Sequence, residues 1–173
     1  MEADREEIVT LYRDPEFMVY SSQEGLSPTE AEQLFDKMLD PPPDLRPFVE
    51  RPVIARATNA IIGLVGADQF HLEKYHGIQF SYRFVTGARK QGYATEASEV
   101  MLALWAETVG GEMFAQIRND NDDSKQLARK LGFHWVDEII NIDYRSWGIY
   151  RLRSAAVLRL CDLYVPPLWF ISV

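Results

Sequence analysis

Arg89-Lys90-Gln91-Gly92-Tyr93-Ala94 brings two cations and a glycine to the point where an alternating apolar run ends and a helical pattern begins. The first N–H groups of a helix have no partner within the helix, and the macrodipole adds partial positive charge there. A glycine turn in that place reads as an anion site, for phosphate above all, that needs no metal. One glycine between a strand and a helix is also ordinary punctuation, so the rest of the chain must supply the discrimination. A second polar cluster, Asn119-Asp120-Asn121-Asp122-Asp123-Ser124, precedes another helical pattern. Asn121 and Ser124 there are either helix caps or groups that touch a ligand. His71, Glu73 and His76 form a third cluster. The histidines lie five residues apart, outside the usual zinc spacings, so no metal site is expected; as titrating groups they are candidates for proton transfer.

Elements must hold these clusters in place. The segment from Glu6 to Tyr12 has a short helical pattern. Ser27-Pro28-Thr29-Glu30 then reads as an N-cap, a proline at the first helical position and an acidic first turn. The helix it starts should run to about Leu39, with Ala31, Leu34, Phe35 and Met38 on a buried face. After the Asp40-Pro41-Pro42-Pro43-Asp44 loop, runs from Phe48 to Thr58 and from Ala60 to Gln69 predict strands joined at Asn59. Ile78 to Val85 predicts a further strand with Ile78, Phe80, Tyr82 and Phe84 on one side, leading into the glycine turn. Beyond the turn the pattern gives a helix from Thr95 to Val109, a buried strand from Met113 to Ile117, and a helix from Ser124 to Leu131 that stops at Gly132. Phe133 to Ile142 and Tyr150 to Leu158 complete the set as strands, the second of them equally readable as helix.

At 173 residues with 47% hydrophobic content, the chain suits one domain spanning 1–173. A net charge of -8 argues against nucleic acid as a partner, which demands a basic surface. No apolar run is long enough to span a bilayer, and the opening Met1-Glu2-Ala3-Asp4 is acidic where an export signal would be basic. No membrane partner and a cytoplasmic location are the expectations. Cys161 is the single cysteine, so no intramolecular disulfide and no cysteine metal site arise within this sequence.

The order strand, glycine turn, helix, strand, asparagine-rich loop, helix, Leu131-Gly132-Phe133 resembles that of the GNAT N-acetyltransferases. Arg89-Lys90-Gln91-Gly92-Tyr93-Ala94 is similar to the family's Q/R-x-x-G-x-G/A pyrophosphate loop, and Gly92-Tyr93-Ala94-Thr95-Glu96-Ala97 looks like its ribosomal-protein N-acetyltransferase branch. Asn121-x-x-Ser124 followed by Leu131-Gly132-Phe133 resembles the second family signature.

The resemblance implies an α/β acyl-CoA N-acyltransferase fold, with a mixed, mostly antiparallel sheet flanked by helices. It implies acetyl-CoA as co-substrate and a primary amine as acceptor, either a protein N-terminus or a small molecule, held in an acidic pocket. Backbone groups of Phe84, Val85 and Thr86 would meet the pantetheine arm. Arg89, Lys90, Gln91, Gly92, Tyr93 and Ala94 would hold the pyrophosphate, with Asn121 and Ser124 beside them. The amine would attack the thioester directly, with Ser124 near the leaving sulfur; for the base, where relatives use a strand glutamate, this chain offers Glu73, His71 and His76 in the segment before the strand. Three departures stand out: Gln79 where relatives place a glutamate, Ala128 where many carry a tyrosine acid, and a first strand that is missing or replaced. They leave open a degenerate acyl-CoA binding module without turnover. The apolar tail at 158–173 is expected to cover a sheet edge, either within the subunit or across a homodimer.

Overall fold

A computed structural model describes residues 2–22, 25–41, 49–72, 74–108, 111–141, 144–153 and 171–173. After a 3-10 turn at Glu2–Asp4, α1 (Arg5–Arg13) and α2 (Pro28–Leu39) lead the chain. The start of α2 follows from its sequence. Ser27 Oγ accepts from the Glu30 N–H at 3.3 Å while the Glu30 carboxylate accepts from the Ser27 N–H at 2.9 Å, a capping box that satisfies two helix-end donors. Burial of Ile8, Val9 and Tyr12 on α1, and of Ala31, Phe35 and Met38 on α2, joins both helices to Ile61 and Leu64 on one face of the sheet.

The sheet comprises β1 (Arg51–Ala55), β2 (Ala60–Leu72), β3 (Tyr75–Phe84), β4 (Glu112–Arg118), β5 (His134–Ile140), β6 (Ser146–Arg153) and β7 (Ile171–Ser172). Its spatial order is β5-β6-β4-β3-β2-β1-β7. Pairing is antiparallel except at β3/β4 and β1/β7, which are parallel. On the face opposite α1 and α2 lie α3 (Tyr93–Thr108) and α4 (Asp122–Lys130). Their Ala97, Met101, Leu102, Trp105 and Ala128 pack with Val65, Phe80, Met113, Tyr150 and Leu152 in a second core. Each large apolar side chain removed from water there contributes about 1.5–3 kcal/mol.

Several boundaries move from their sequence-based positions. β1 ends at Ala55 because the chain folds back through a turn in which the Asn59 N–H donates to the Ala55 carbonyl at 2.8 Å, with Asn59 at φ 56°. β3 begins at Tyr75 and β6 at Ser146, both earlier than the apolar runs suggest, because partner strands continue opposite them. No strand precedes α1 among the described residues; the sheet edge beside β1 is taken by β7, which pairs Val53 with Ile171 and Ile54 with Ser172. Of the tail at 158–173, only residues 171–173 are described, and Cys161 lies outside the described residues. Among the described residues no helix is long and apolar enough to cross a membrane.

Candidate active-site cleft

β3 and β4 are paired only at Ile78 with Met113 and Gln79 with Phe114. Beyond that join, β3 stays with β2 as far as Phe84, and β4 stays with β6 as far as Arg118. The two central strands therefore part, and a cleft of about 820 Å³ opens between them, lined from Gln79 to Phe84 on one side and from Ala115 to Arg118 on the other. That volume suits a small-molecule ligand. The Val85 N–H donates to the Ile62 carbonyl at 3.0 Å, toward β2. Main-chain groups of an extended strand point alternately to its two edges. Those of Tyr82 and Phe84 accordingly point into the cleft, where no strand faces them.

At the far end of β3 the chain makes a 3-10 turn at Thr86–Ala88 and enters α3. Lys90 at φ 60° and Gly92 at φ 90° bend this loop so that its amides converge. The Gly92 carbonyl accepts from the N–H groups of Thr95 and Glu96, which leaves those of Tyr93 and Ala94 in the first turn of α3 without helical acceptors. The expected cofactor residues then divide. Phe84, Arg89, Lys90, Gly92, Ala94, Asn121 and Ser124 line the cleft, whereas the side chains of Val85, Thr86, Gln91 and Tyr93 lie outside its lining. The carbonyls of Val85 and Thr86 accept from the Ala88 and Arg89 N–H groups and that of Phe84 from the Arg89 side chain, so of the three it is the Phe84 N–H that stays open toward the cleft. Gln91 donates its side-chain amide to the Gly87 carbonyl and so braces the loop. Arg89 donates to the carbonyls of Phe84 at 3.1 Å and Glu16 at 2.7 Å, which makes it a stitch across the loop rather than a free cation. Lys90 reaches Asp123 at 3.4 Å, and both side chains are exposed, so that pair contributes little.

At the start of α4, Asn121 is the N-cap, accepting from the Ser124 N–H at 3.1 Å. The helix thus begins at Asp122 rather than at Ser124. This cap fixes the turn that carries Ser124, whose half-buried side chain borders the cleft. Tyr82 enters the cleft from β3, its ring between Phe80 and Phe84 at centroid distances of 5.9 and 6.4 Å. Its Oη is buried beside the Ser124 hydroxyl. Burial pushes the phenol up to about 12, with Asp123 adding to the rise and the Ser124 hydroxyl opposing it. Strand alternation shows which side Tyr82 faces but gives no sign of this hydroxyl's setting.

The opposite wall carries Phe17, Val19, Tyr20, Ser21 and Ser22 from the α1–α2 connection, facing Gln79, Arg83, Gln116 and Arg118. Arg83 bonds Ser21 Oγ at 3.0 Å and ion-pairs with Glu50, which also accepts from Tyr12 Oη at 2.6 Å. Arg118, 8% exposed, grips Asp120, donates to the Val19 carbonyl at 2.7 Å and lies 4.8 Å from the Tyr20 ring centre. The acidic pocket expected here is replaced by amides, hydroxyls and two matched arginines; Asp123, across the cleft, is the acidic residue in the described lining. His71 is not among the residues that line the cleft. It sits opposite His76 in the β2/β3 hairpin, on the far side of the β3/β4 join, with the Nδ1 atoms 3.3 Å apart. Glu73 lies outside the described residues. Among the described residues no three His, Cys, Asp or Glu side chains gather as metal ligands.

A family model for the acetyltransferase (GNAT) domain matches residues 1–134. Spermidine N-acetyltransferase from Vibrio cholerae, solved in complex with CoA and spermine, is 17% identical with a TM-score of 0.73 over 91% of this chain and 94% of that one. A GNAT superfamily phosphinothricin acetyltransferase from Sinorhizobium meliloti, in complex with AcCoA, is 18% identical with a TM-score of 0.69 over 88% and 84% of the two chains. Ribosomal-protein-S5-alanine acetyltransferase from Vibrio fischeri is 14% identical with a TM-score of 0.67 over 88% of each. Similarity at these identities extends to the fold and singles out no branch. No curated protein matches in sequence. The splayed central strands, the glycine turn and the match over most of the sequence agree, and the chain belongs to the GNAT acetyltransferase family.

Proposed function

We propose that the cleft binds acetyl-CoA between β3 and β4 and transfers its acetyl group to a primary amine that enters beside the α1–α2 connection. The parting of β3 and β4 carries this reading, because it exposes main-chain amides of Tyr82 and Phe84 along a groove ending at the glycine turn. A pantetheine arm offers amides to such a ladder, and a pyrophosphate suits the N–H groups of Tyr93 and Ala94 with the Lys90 ammonium. Arg89 and Gln91 shape this loop through their carbonyl contacts.

Acetyl-CoA supplies an activated thioester. The neutral amine attacks its carbonyl carbon, Ser124 faces the departing sulfur, and Asn121 holds Ser124 through the cap. Alignment of the two reactants between the walls supplies much of the acceleration. The acceptor is an amine without need of a carboxylate cage, given the arginines and amides of its wall. A panel of spermidine, phosphinothricin and an alanine-terminated peptide spans the amine classes acted on by the similar proteins. Thiol release with at least one of them, together with CoA binding by calorimetry, is the expected result. Binding without thiol release from any amine would favour a binding module; absence of CoA binding would overturn the assignment.

A further inference from the structure

Strand register brings two of the chain's histidines face to face. His71 on β2 pairs with His76 on β3, one step from the hairpin's last pair, Leu72 with Tyr75. From Tyr75 to Gly77, β3 has β2 as its strand partner without β4, because the pairing with β4 begins at Ile78. Both imidazoles are exposed, and their Nδ1 atoms stand 3.3 Å apart with the ring centres at 5.6 Å. That separation is long for a hydrogen bond, in which an N–H donor sits roughly 2.7–3.2 Å from its acceptor. It matches the edge of a metal tetrahedron, since bonds of about 2.0–2.1 Å to nitrogen place two ligands about 3.3–3.4 Å apart. The spacing in sequence lies outside the helical zinc motifs, yet across an antiparallel pair it brings two ring nitrogens within reach of one ion.

We propose that His71 and His76 chelate a divalent transition-metal ion of the zinc class through their Nδ1 atoms, with water in the remaining positions. Imidazole nitrogen suits such ions, whereas magnesium takes oxygen ligands. No third His, Cys, Asp or Glu joins the pair among the described residues, so affinity is moderate and the ion stays open to solvent. Alternation along the strands puts both histidines on one face and Leu72 and Tyr75 on the other, where these pack with Phe70 and Phe114. The neighbouring ammonium of Lys74 is drawn to the Tyr75 side, 3.1 Å from Asp137 and 5.2 Å from the Tyr75 ring centre, which turns its like charge away from the ion. An ion held there ties β2 to β3 where β4 does not pair with them. Neither histidine lines the cleft, so the site is independent of the acetyl-transfer reading.

Calorimetry of the untagged full chain with zinc chloride as probe tests the site. Two protein nitrogens in place of the four ligands of a structural zinc site point to a Kd of about 10 µM. His71→Ala and His76→Ala should each raise that Kd by about tenfold or more, while His134→Ala, which alters the remaining histidine, should leave it unchanged. Magnesium chloride should give no binding heat. Since both side chains are exposed, the zinc-free variants should melt within about 2 °C of the wild type. Zinc at about 100 times its Kd should raise the wild-type melting temperature by about 5 °C and leave that of the two variants unmoved. Zinc binding that survives in both variants, or that is lost in His134→Ala, would overturn the site. No binding up to millimolar zinc would also overturn it and leave the two rings as a hydrogen-bonded pair. CoA binding in the cleft decides the acetyl-transfer reading separately.

Discussion

Gly92 holds φ at 90°, in the region an L side chain rarely adopts. A Cβ built there would meet nothing within 4 Å, so the position needs glycine for its backbone angle and not for space. Gly92→Ala therefore tests the loop's shape without a clash. Forcing a side chain into that conformation costs about 1–3 kcal/mol, and the loop can relieve it by turning its amides away from the anion. CoA affinity should weaken by about tenfold or more in calorimetry with melting temperature little changed; unchanged affinity would remove the glycine turn from the site. Arg89 makes the complementary point. It occupies the family's signature position yet spends its guanidinium on the Phe84 and Glu16 carbonyls, so the proposed anion site at this turn rests on amides and Lys90.

Among the elements, the α1–α2 connection is the one that gives the cleft its second wall, and arginines from three places hold it there. Arg89 binds Glu16, Arg118 binds Val19 and stacks on Tyr20, and Arg83 binds Ser21. Arg118→Ala should release the middle of this segment while leaving the glycine turn untouched. KM for the amine should rise by about tenfold with CoA affinity unchanged, in steady-state kinetics paired with calorimetry; equal weakening of both ligands would place Arg118 in the general fold instead. Such long-range ties explain what was readable in the sequence. The start of α2 was legible because Ser27, Pro28 and Glu30 settle it locally, and the Asn121 cap had the same local character. The strap was not, since Arg118 and Val19 are 99 residues apart. His71 and His76 likewise gain their proximity from strand register, which also puts them beyond the join and out of the cleft. Tyr82 was read by alternation as one more member of an aromatic row, and only the assembled core shows its hydroxyl to be buried beside that of Ser124.

For the molecule as a whole, the exposed edge of β1 is a liability that the last residues manage. The Val173 N–H donates to the Ile54 carbonyl at 3.0 Å, the Arg56 N–H donates to the Val173 carbonyl at 2.8 Å, and the Arg56 side chain reaches the Ser172 carbonyl at 2.8 Å. Ile171 and Val173 are each only 7% exposed and belong to the core beneath α3. Deleting residues 171–173 would strip these bonds and uncover that apolar surface together. Two buried side chains at about 1.5–3 kcal/mol each and the lost main-chain bonds give an upper bound that realistic unfolded states reduce, leaving about 3–5 kcal/mol. For a chain of this length that lowers the melting temperature by about 10 °C. Bare donors and acceptors along β1 would also invite pairing with another chain, so sedimentation should show self-association that grows with concentration. An unchanged melting curve and an unchanged sedimentation profile would mean that the edge of β1 does not depend on these residues. Three strands, β1, β2 and β3, separate the cleft from that edge, so CoA affinity measured below the melting transition should survive the deletion.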